Sequence, residues 1–349
     1  MKILFELNHP KHYLQYKQLA DKLDGEITSY FIAKDKDVLL QLLEQDNRDY
    51  FRISVNSKNV YSKIFYFGKY LKNYLTYIDK IQPDVIVSKA SPYAALAGKY
   101  RRIPTIITPD SEVVMLTNKF VAPLSNLVIT QETFGLDYGK KHRRVRGLFE
   151  DQYLHPKYFS PDKEKLMSYG INPGEKYAIL RFVGWSANHD IGRNGASIND
   201  KLYLVNELRR HCRVFISSEN YLPDYLEEYR LPTPPHAIHQ ALHFASLYLG
   251  DSQTMATEAA LLGTPSIRVN SFVGENDMSN FKILEKEYQM LFNHTNINDA
   301  LLRALDILKN RELKNEWLEK RNTYYRKEND INEEIVEIIY EVLRNKRIN

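Results

Sequence analysis

The chain reads as an α/β fold of two doubly wound, Rossmann-like halves. Three observations lead there. Short apolar runs alternate with amphipathic stretches over most of its 349 residues, the pattern of βαβ units and parallel sheets. Residues 151–175 interrupt that alternation with Pro156, Pro161, Pro173, Gly170 and Gly174, as a boundary between domains does. The alternation then restarts, and at about 100–200 residues per domain the length suits two domains.

In the first half, KILFEL (2–7) is a β-type run followed by a helix over 13–23. Further strands are expected at 27–33, 50–54, 84–88, 104–109, 126–130 and around 143–146. Helices are expected between them at 38–44, 58–80 and 93–101, the long one ending before Pro83. In the second half the strands fall at 177–183, 213–218, 247–251, 265–270 and 289–293. The intervening helices fall at 199–211, 224–229, 239–245, 255–262 and 283–288, and the tail from Ile297 is helical, including 331–346. The expected domains are 1–160 and 161–330, with 331–349 as a closing helix.

Bulk composition narrows the class. Charged residues make up 26% and the net charge is +4, which suits an anionic ligand or an acidic membrane surface without demanding either. No RNA- or DNA-binding motif is present, so no nucleic-acid partner is expected. No run approaches the ~20 apolar residues of a membrane span, and MKILFELNHPKHY does not read as a signal peptide. The single cysteine, Cys212, leaves neither an internal disulfide nor a cysteine metal cluster. A cytoplasmic protein with no metal site is the expectation.

LYLGDSQTMATEAALLGTPSIRVN (247–270) carries the strongest local signal. A strand ends at Asp251, and Ser252, Gln253 and Thr254 make a polar turn into a helix. Gly263 stands where a left-handed residue closes that helix, and Pro265 prevents its continuation. Ser252 or Thr254 can cap the helix start, whose first N–H groups suit a phosphate. Glu258 lies one turn along the face of Thr254, where a carboxylate can accept ribose hydroxyls. The plainer alternative is that Thr254 and Glu258 only cap and solvate the helix.

Residues 181–197 form a second constellation. Arg181 sits inside an apolar strand, where a charge needs an anion or an internal partner. The strand runs into Gly184, Trp185 and Ser186, and the following loop holds His189 and Asp190. Main-chain N–H groups of such a loop can cradle a diphosphate. His189, oriented by Asp190, or Arg181 can neutralise a leaving phosphate; the alternative is a structural His–Asp pair. In the first half, Asn8, His9 and His12 follow the first strand, Lys89 and Ser91 the fourth, and Asp110 and Glu112 the fifth. His9, Asp110 and Glu112 are candidates for a general base, and Asp110 reads equally as a turn or cap residue. The absence of Gly-x-Gly-x-x-Gly argues against a dinucleotide cofactor.

The 247–270 segment resembles the donor-binding motif of GT-B glycosyltransferases and of the related UDP-N-acetylglucosamine 2-epimerases, matching at Ser252, Gln253, Thr254 and Glu258, with Ser-Gln where those families carry a glycine pair. More widely, NHPKH (8–12), LRFVGWSANHDIGRNGAS (180–197) and 247–270 are similar to a domain-of-unknown-function family, number 354, grouped with the GT-B fold. The resemblance implies two Rossmann-like domains facing a cleft, with the last helix crossing back to the first. It implies a donor side with Ser252, Gln253, Thr254 and Glu258 and an acceptor side in the first domain, and the loop reading above adds Arg181, Gly184, Trp185 and Ser186 to the donor side.

The function expected is a metal-independent glycosyltransferase for surface polysaccharide or glycan, with a nucleoside-diphosphate sugar, UDP-linked first of all, as substrate and no cofactor. The epimerases resembled use an arginine after the first strand, an aspartate after the fourth and glutamates after the fifth. This chain has Asn8-His9-Pro10 and Ser88-Lys89-Ala90-Ser91 at the first two places, which ranks an epimerase second. A non-catalytic sugar-nucleotide or glycan-binding protein is a further alternative. Lysines and aromatic residues in 61–80, with KYRR (99–102) and KKHRRVR (140–146), read chiefly as a core-facing helix and solvated charge. A peripheral contact at the inner face of a membrane, receiving a lipid-linked acceptor, is the sharper reading.

Overall fold

The computed structural model describes all residues except 37, 54–59, 113, 115–116, 183–196, 219–221, 271–272, 275–276, 328 and 349. It divides into two compact units, residues 1–153 with 329–349, and residues 154–328.

The first unit is built on a seven-stranded parallel sheet. Its strands are β1 (Lys2–Leu7), β2 (Thr28–Lys34), β3 (Tyr50–Ile53), β4 (Val85–Ser88), β5 (Thr105–Ile107), β6 (Leu127–Gln131) and β7 (His142–Val145), in the order β3-β2-β1-β4-β5-β6-β7. β1, β4 and β5 are almost wholly apolar because helices cover both faces of the sheet. On one face, helix Pro10–Leu23 and the closing helix Ile331–Ile348 pack together, burying Tyr16, Leu19, Ile331, Ile335, Ile339 and Leu343. On the other lies helix Val60–Ile81, whose deepest residues are Tyr70, Tyr74, Ile78 and Ile81. Leu71 and Leu75 of the same helix are only partly buried. Tyr70 and Tyr74 are therefore core residues.

The second unit holds a five-stranded parallel sheet of β8 (Tyr177–Arg181), β9 (Arg213–Ile216), β10 (Leu247–Gly250), β11 (Ser266–Val269) and β12 (Leu291–His294), ordered β12-β11-β10-β8-β9. Its core joins these strands to helices Ile198–Leu208, Ile297–Lys309 and Leu313–Lys327. The proline-bearing stretch between the halves contains a short helix, Lys163–Ser168, capped by Asp162.

Each sheet has one place where successive strands stop adding to one edge and begin adding to the other. It lies between β1 and β4 in the first sheet and between β8 and β10 in the second. Loops leaving such a pair diverge to opposite faces and open a crevice beyond the strand ends, where open α/β sheets bind ligands. No helix among the described residues is long and apolar enough to cross a membrane.

Candidate functional site

Both reversal points are lined by residues that the sequence singles out. In the second unit, Arg181 ends β8 and pairs with Gly250 at the end of β10. A Cβ on Gly250 would lie 2.0 Å from the Arg181 carbonyl oxygen, so only glycine lets these strand ends approach. The Asp251 N–H donates to that carbonyl at 3.0 Å. The chain then turns at Ser252, whose extended backbone (φ −70°, ψ 116°) makes it the N-cap of helix Gln253–Leu261 and whose Oγ accepts from the Met255 N–H at 3.4 Å. Four N–H groups at a helix start lack intrahelical partners. The cap serves that of Met255, and the Gln253 and Thr254 amides lie in the half-buried first turn. Gly263, at φ +78°, closes the helix in the left-handed region.

Glu258 is buried, its side chain 7% exposed, with Oε1 3.2 Å from Nε2 of His239 on helix Ile238–Phe244. Arg181 is half-buried, and its Nη1 donates to Ser217 Oγ at 3.5 Å. Gly184, Trp185, Ser186, His189 and Asp190 lie outside the described residues. Among the described residues no group of three His, Cys, Asp or Glu is gathered that would hold a metal ion.

In the first unit the reversal point carries a cluster of charged side chains. His9 caps helix Pro10–Leu23, its Nδ1 accepting from the Lys11 N–H at 3.2 Å. His12 Nδ1 accepts from the Asn8 N–H at 3.2 Å, which leaves the proton of each neutral ring on Nε2. Lys11 Nζ lies 3.1 Å from Asp110 Oδ2 and 2.8 Å from Glu150 Oε1. Burial opposes the Lys11 charge, but Glu150 and Asp110 outweigh it and raise its pKa above the ordinary lysine value. Burial likewise pushes the Asp110 carboxyl up, yet Lys11, Lys89 and His12 hold it well below the usual carboxylate range. Burial and the Lys89 charge drive the His12 imidazole well below its ordinary value.

Lys89 follows β4 in a tight turn. Ser88 Oγ accepts from the Ser91 N–H at 3.3 Å, Ala90 is left-handed at φ +67°, and Ser91 caps helix Pro92–Arg101. The Lys89 Nζ is sealed from solvent, lies 3.8 Å from the Phe149 ring centroid, and has no hydrogen-bond partner among the described residues. Burial, opposed by Asp110, lowers its pKa to about 7. Glu112 turns aside, its Oε1 accepting from the Gly135 N–H at 2.9 Å.

Sequence reasoning missed Lys11, Glu150 and His239 as members of these clusters, and Glu6 beneath the first one. Glu6 is fully buried in β1, accepts from Asn8 Nδ2 at 3.0 Å, and is raised by burial against the opposing side chains of Ser91, Asn8 and Tyr74. Its signal was a charge inside a buried apolar strand, the same signal that marks Arg181. The basic run at 140–146 is partly turned inward: Lys141 Nζ donates to the Pro123 carbonyl at 3.1 Å, and Arg144 to the Glu132 carbonyl at 3.1 Å.

Solved structures share this architecture along nearly the whole chain. The UDP-GlcNAc 2-epimerase from Methanocaldococcus jannaschii is 16% identical with a TM-score of 0.67, covering 98% of this chain and 100% of that one. MnaA of S. aureus, solved with UDP, is 14% identical with a TM-score of 0.71, covering 98% and 97%. The spinosyn forosaminyltransferase SpnP is 11% identical with a TM-score of 0.63, covering 99% of each chain. At such identities the likeness is one of fold, and the fold is GT-B. No curated protein matches the chain. The sequence profile of one family runs from residue 1 to residue 344, and the chain accordingly belongs to DUF354, a family of proteins of unknown function.

Proposed function

We propose that the chain is a GT-B glycosyltransferase that takes its sugar from a nucleoside diphosphate, UDP first of all, and builds a surface polysaccharide or other glycan. One observation carries this reading. At the strand-order reversal of the second sheet, a Ser252-capped helix start lies beside the Arg181 strand end, with buried Glu258 one turn further on. A helix start offers N–H groups and a partial positive charge to a diphosphate. Glu258 would accept the ribose hydroxyls, with the His239 ring beside its carboxylate. Among proteins of similar fold, MnaA was solved with UDP, which supports this choice of donor, and the forosaminyltransferase supports transfer of a sugar.

Charge collects on the departing diphosphate in the transition state, so the helix start and Arg181 would stabilise what forms there. Gly184, Trp185 and Ser186 would extend the diphosphate contact, and His189 with Asp190 would assist the leaving group. No metal or other cofactor is assigned. In the first unit Asp110 is the preferred group to receive the acceptor's hydroxyl proton, because it keeps 35% side-chain exposure beside its Lys11 tether. His9 spends its Nδ1 lone pair on the helix cap, and Glu112 is bonded to Gly135. The reaction is placed in the cytoplasm, at the inner membrane face if the acceptor is lipid-linked.

Calorimetry with UDP tests the donor assignment. Glu258→Ala should weaken UDP at least about tenfold, or about 1.4 kcal/mol, with Glu258→Gln as a companion that keeps the shape. Unchanged UDP affinity in both rejects the assignment.

The epimerase reading draws on the fold neighbours of that name. Removing and returning a proton at C2 needs two placed acid–base groups. Here Lys89 follows β4, where the epimerases resembled carry an aspartate, and this favours the transferase. Deuterium entering C2 of a UDP-sugar incubated without acceptor would reverse that ranking. Donor binding without transfer to any of a panel of acceptors would favour a binding protein.

A further inference from the structure

The Lys89 ammonium is an anomaly in the first unit. A lysine nitrogen carries three N–H donors when charged, and Lys89 uses none of them in a hydrogen bond to the described residues. It stands 3.8 Å from the centroid of the Phe149 ring, a cation–π contact worth roughly 0.5–2 kcal/mol, well short of the cost of burying an unpaired charge. The nearby carboxylates do not fill the gap: Asp110 and Glu150 both reach Lys11 instead. The placement is built, since the Ser88–Ser91 turn with left-handed Ala90 sets Lys89 at the end of β4, beside the start of helix Pro10–Leu23. This is the reversal point of the first sheet.

We propose that Lys89 is the cationic contact for a compact oxyanion, a carboxylate or a phosphate, carried by the small-molecule ligand of the first unit. Without that group the side chain sheds its proton easily, which relieves the unpaired charge. With it, the ammonium form is restored and three donors face the oxyanion. The proton comes from the buffer and goes onto Nζ. Asp110, Glu150, Lys11, His12 and His9 are the other charged or titratable groups of the cluster, with Glu6 beneath it, and the first three are already tied together. The inference stands apart from the nucleotide site of the second unit, where a sulfate on backbone N–H groups would bind without proton uptake.

Calorimetry at about pH 8, above the Lys89 transition, in two buffers of different ionisation enthalpy tests it on the whole chain. Sodium sulfate and sodium acetate serve as probes, standing for phosphate and carboxylate, and neither titrates there. Wild type should take up close to one proton per anion bound. Lys89→Met should bind at least tenfold more weakly and take up none. Lys89→Arg, charged throughout, should still bind but without proton uptake. Stronger binding of sulfate assigns a phosphate-bearing ligand, and stronger binding of acetate a carboxylate-bearing one. Equal binding to wild type and Lys89→Met, binding without proton uptake by wild type, or no binding of either probe overturns the proposal.

Discussion

The two sheets reverse their strand order at edges of opposite chemistry. In the second unit the edge is mostly backbone: a glycine lets two strand ends close, a serine caps a helix, and one buried carboxylate is matched to one imidazole. In the first unit it is mostly side chain: Lys11 bridges Asp110 and Glu150, while Lys89 is left over. A backbone edge presents fixed dipoles that suit one kind of ligand, a phosphate chain. A side-chain edge is tuned by which charges are present, and so differs more readily between proteins of one fold. The contrast suits a reading in which the second unit holds the common donor and the first unit sets what is joined to it.

Removing Lys11 should strike this contrast hardest. Lys11→Met leaves the buried Glu150 carboxylate and its neighbour Asp110 without their shared cation, and breaking a buried pair typically costs about 3–5 kcal/mol. The Glu150 arm should dominate, because Asp110 is a third exposed and its share is screened. The Asp110 pKa is depressed in the folded chain, so its stabilisation is complete above the unfolded value and fades as pH falls through the folded one. The loss measured by urea unfolding should therefore be greatest near neutral pH and shrink on acidification. A loss independent of pH would mean that Lys11 acts through packing alone.

Lys89→Met should do the reverse. The folded pKa of Lys89, about 7, lies below the ordinary lysine value, so protonation in the folded chain is penalised. That penalty is complete below about pH 7 and fades as the pH climbs toward the unfolded lysine value near 10.4. The methionine variant should thus be more stable than wild type by about 1 kcal/mol or more at neutral pH, with the gain vanishing in strong alkali. A destabilised variant at pH 7 would show that Lys89 has a partner within the folded chain.

The same contrast marks what the sequence could tell. Strands buried on both faces must be apolar runs, so the parallel sheets were legible from pattern alone. Ser252, Gly263 and Pro265 were legible because caps and left-handed closures select residue types locally. The first-unit cluster was not, because Lys11 at the start of helix Pro10–Leu23, Asp110 after β5 and Glu150 after β7 lie on three separate segments that only the strand order brings together. Glu150 falls just before the segment read as irregular, and His239 meets Glu258 from a different helix. Tyr70 and Tyr74 of helix Val60–Ile81 are buried on its core face, where aromatic residues at helical spacing read as core. A charge inside an apolar strand was the one long-range clue available. It was read at Arg181 and overlooked at Glu6.

The mildest perturbation tests the backbone edge most directly. Ser252→Ala removes the side-chain partner of the Met255 N–H and should lower stability by about 1 kcal/mol, as loss of an N-cap does. Its effect on binding should depend on the ligand. The cap fixes the direction in which the first-turn N–H groups point, so their grip on a diphosphate should loosen while the Glu258 contact to ribose, one turn away, stays in place. UDP should therefore weaken several-fold and uridine hardly at all. Equal weakening of both would place the effect in the helix as a whole, and the serine would then be a structural cap with no share in phosphate recognition. A comparison within one variant cancels any general loss of folded protein, which is why this small change discriminates better than a larger one.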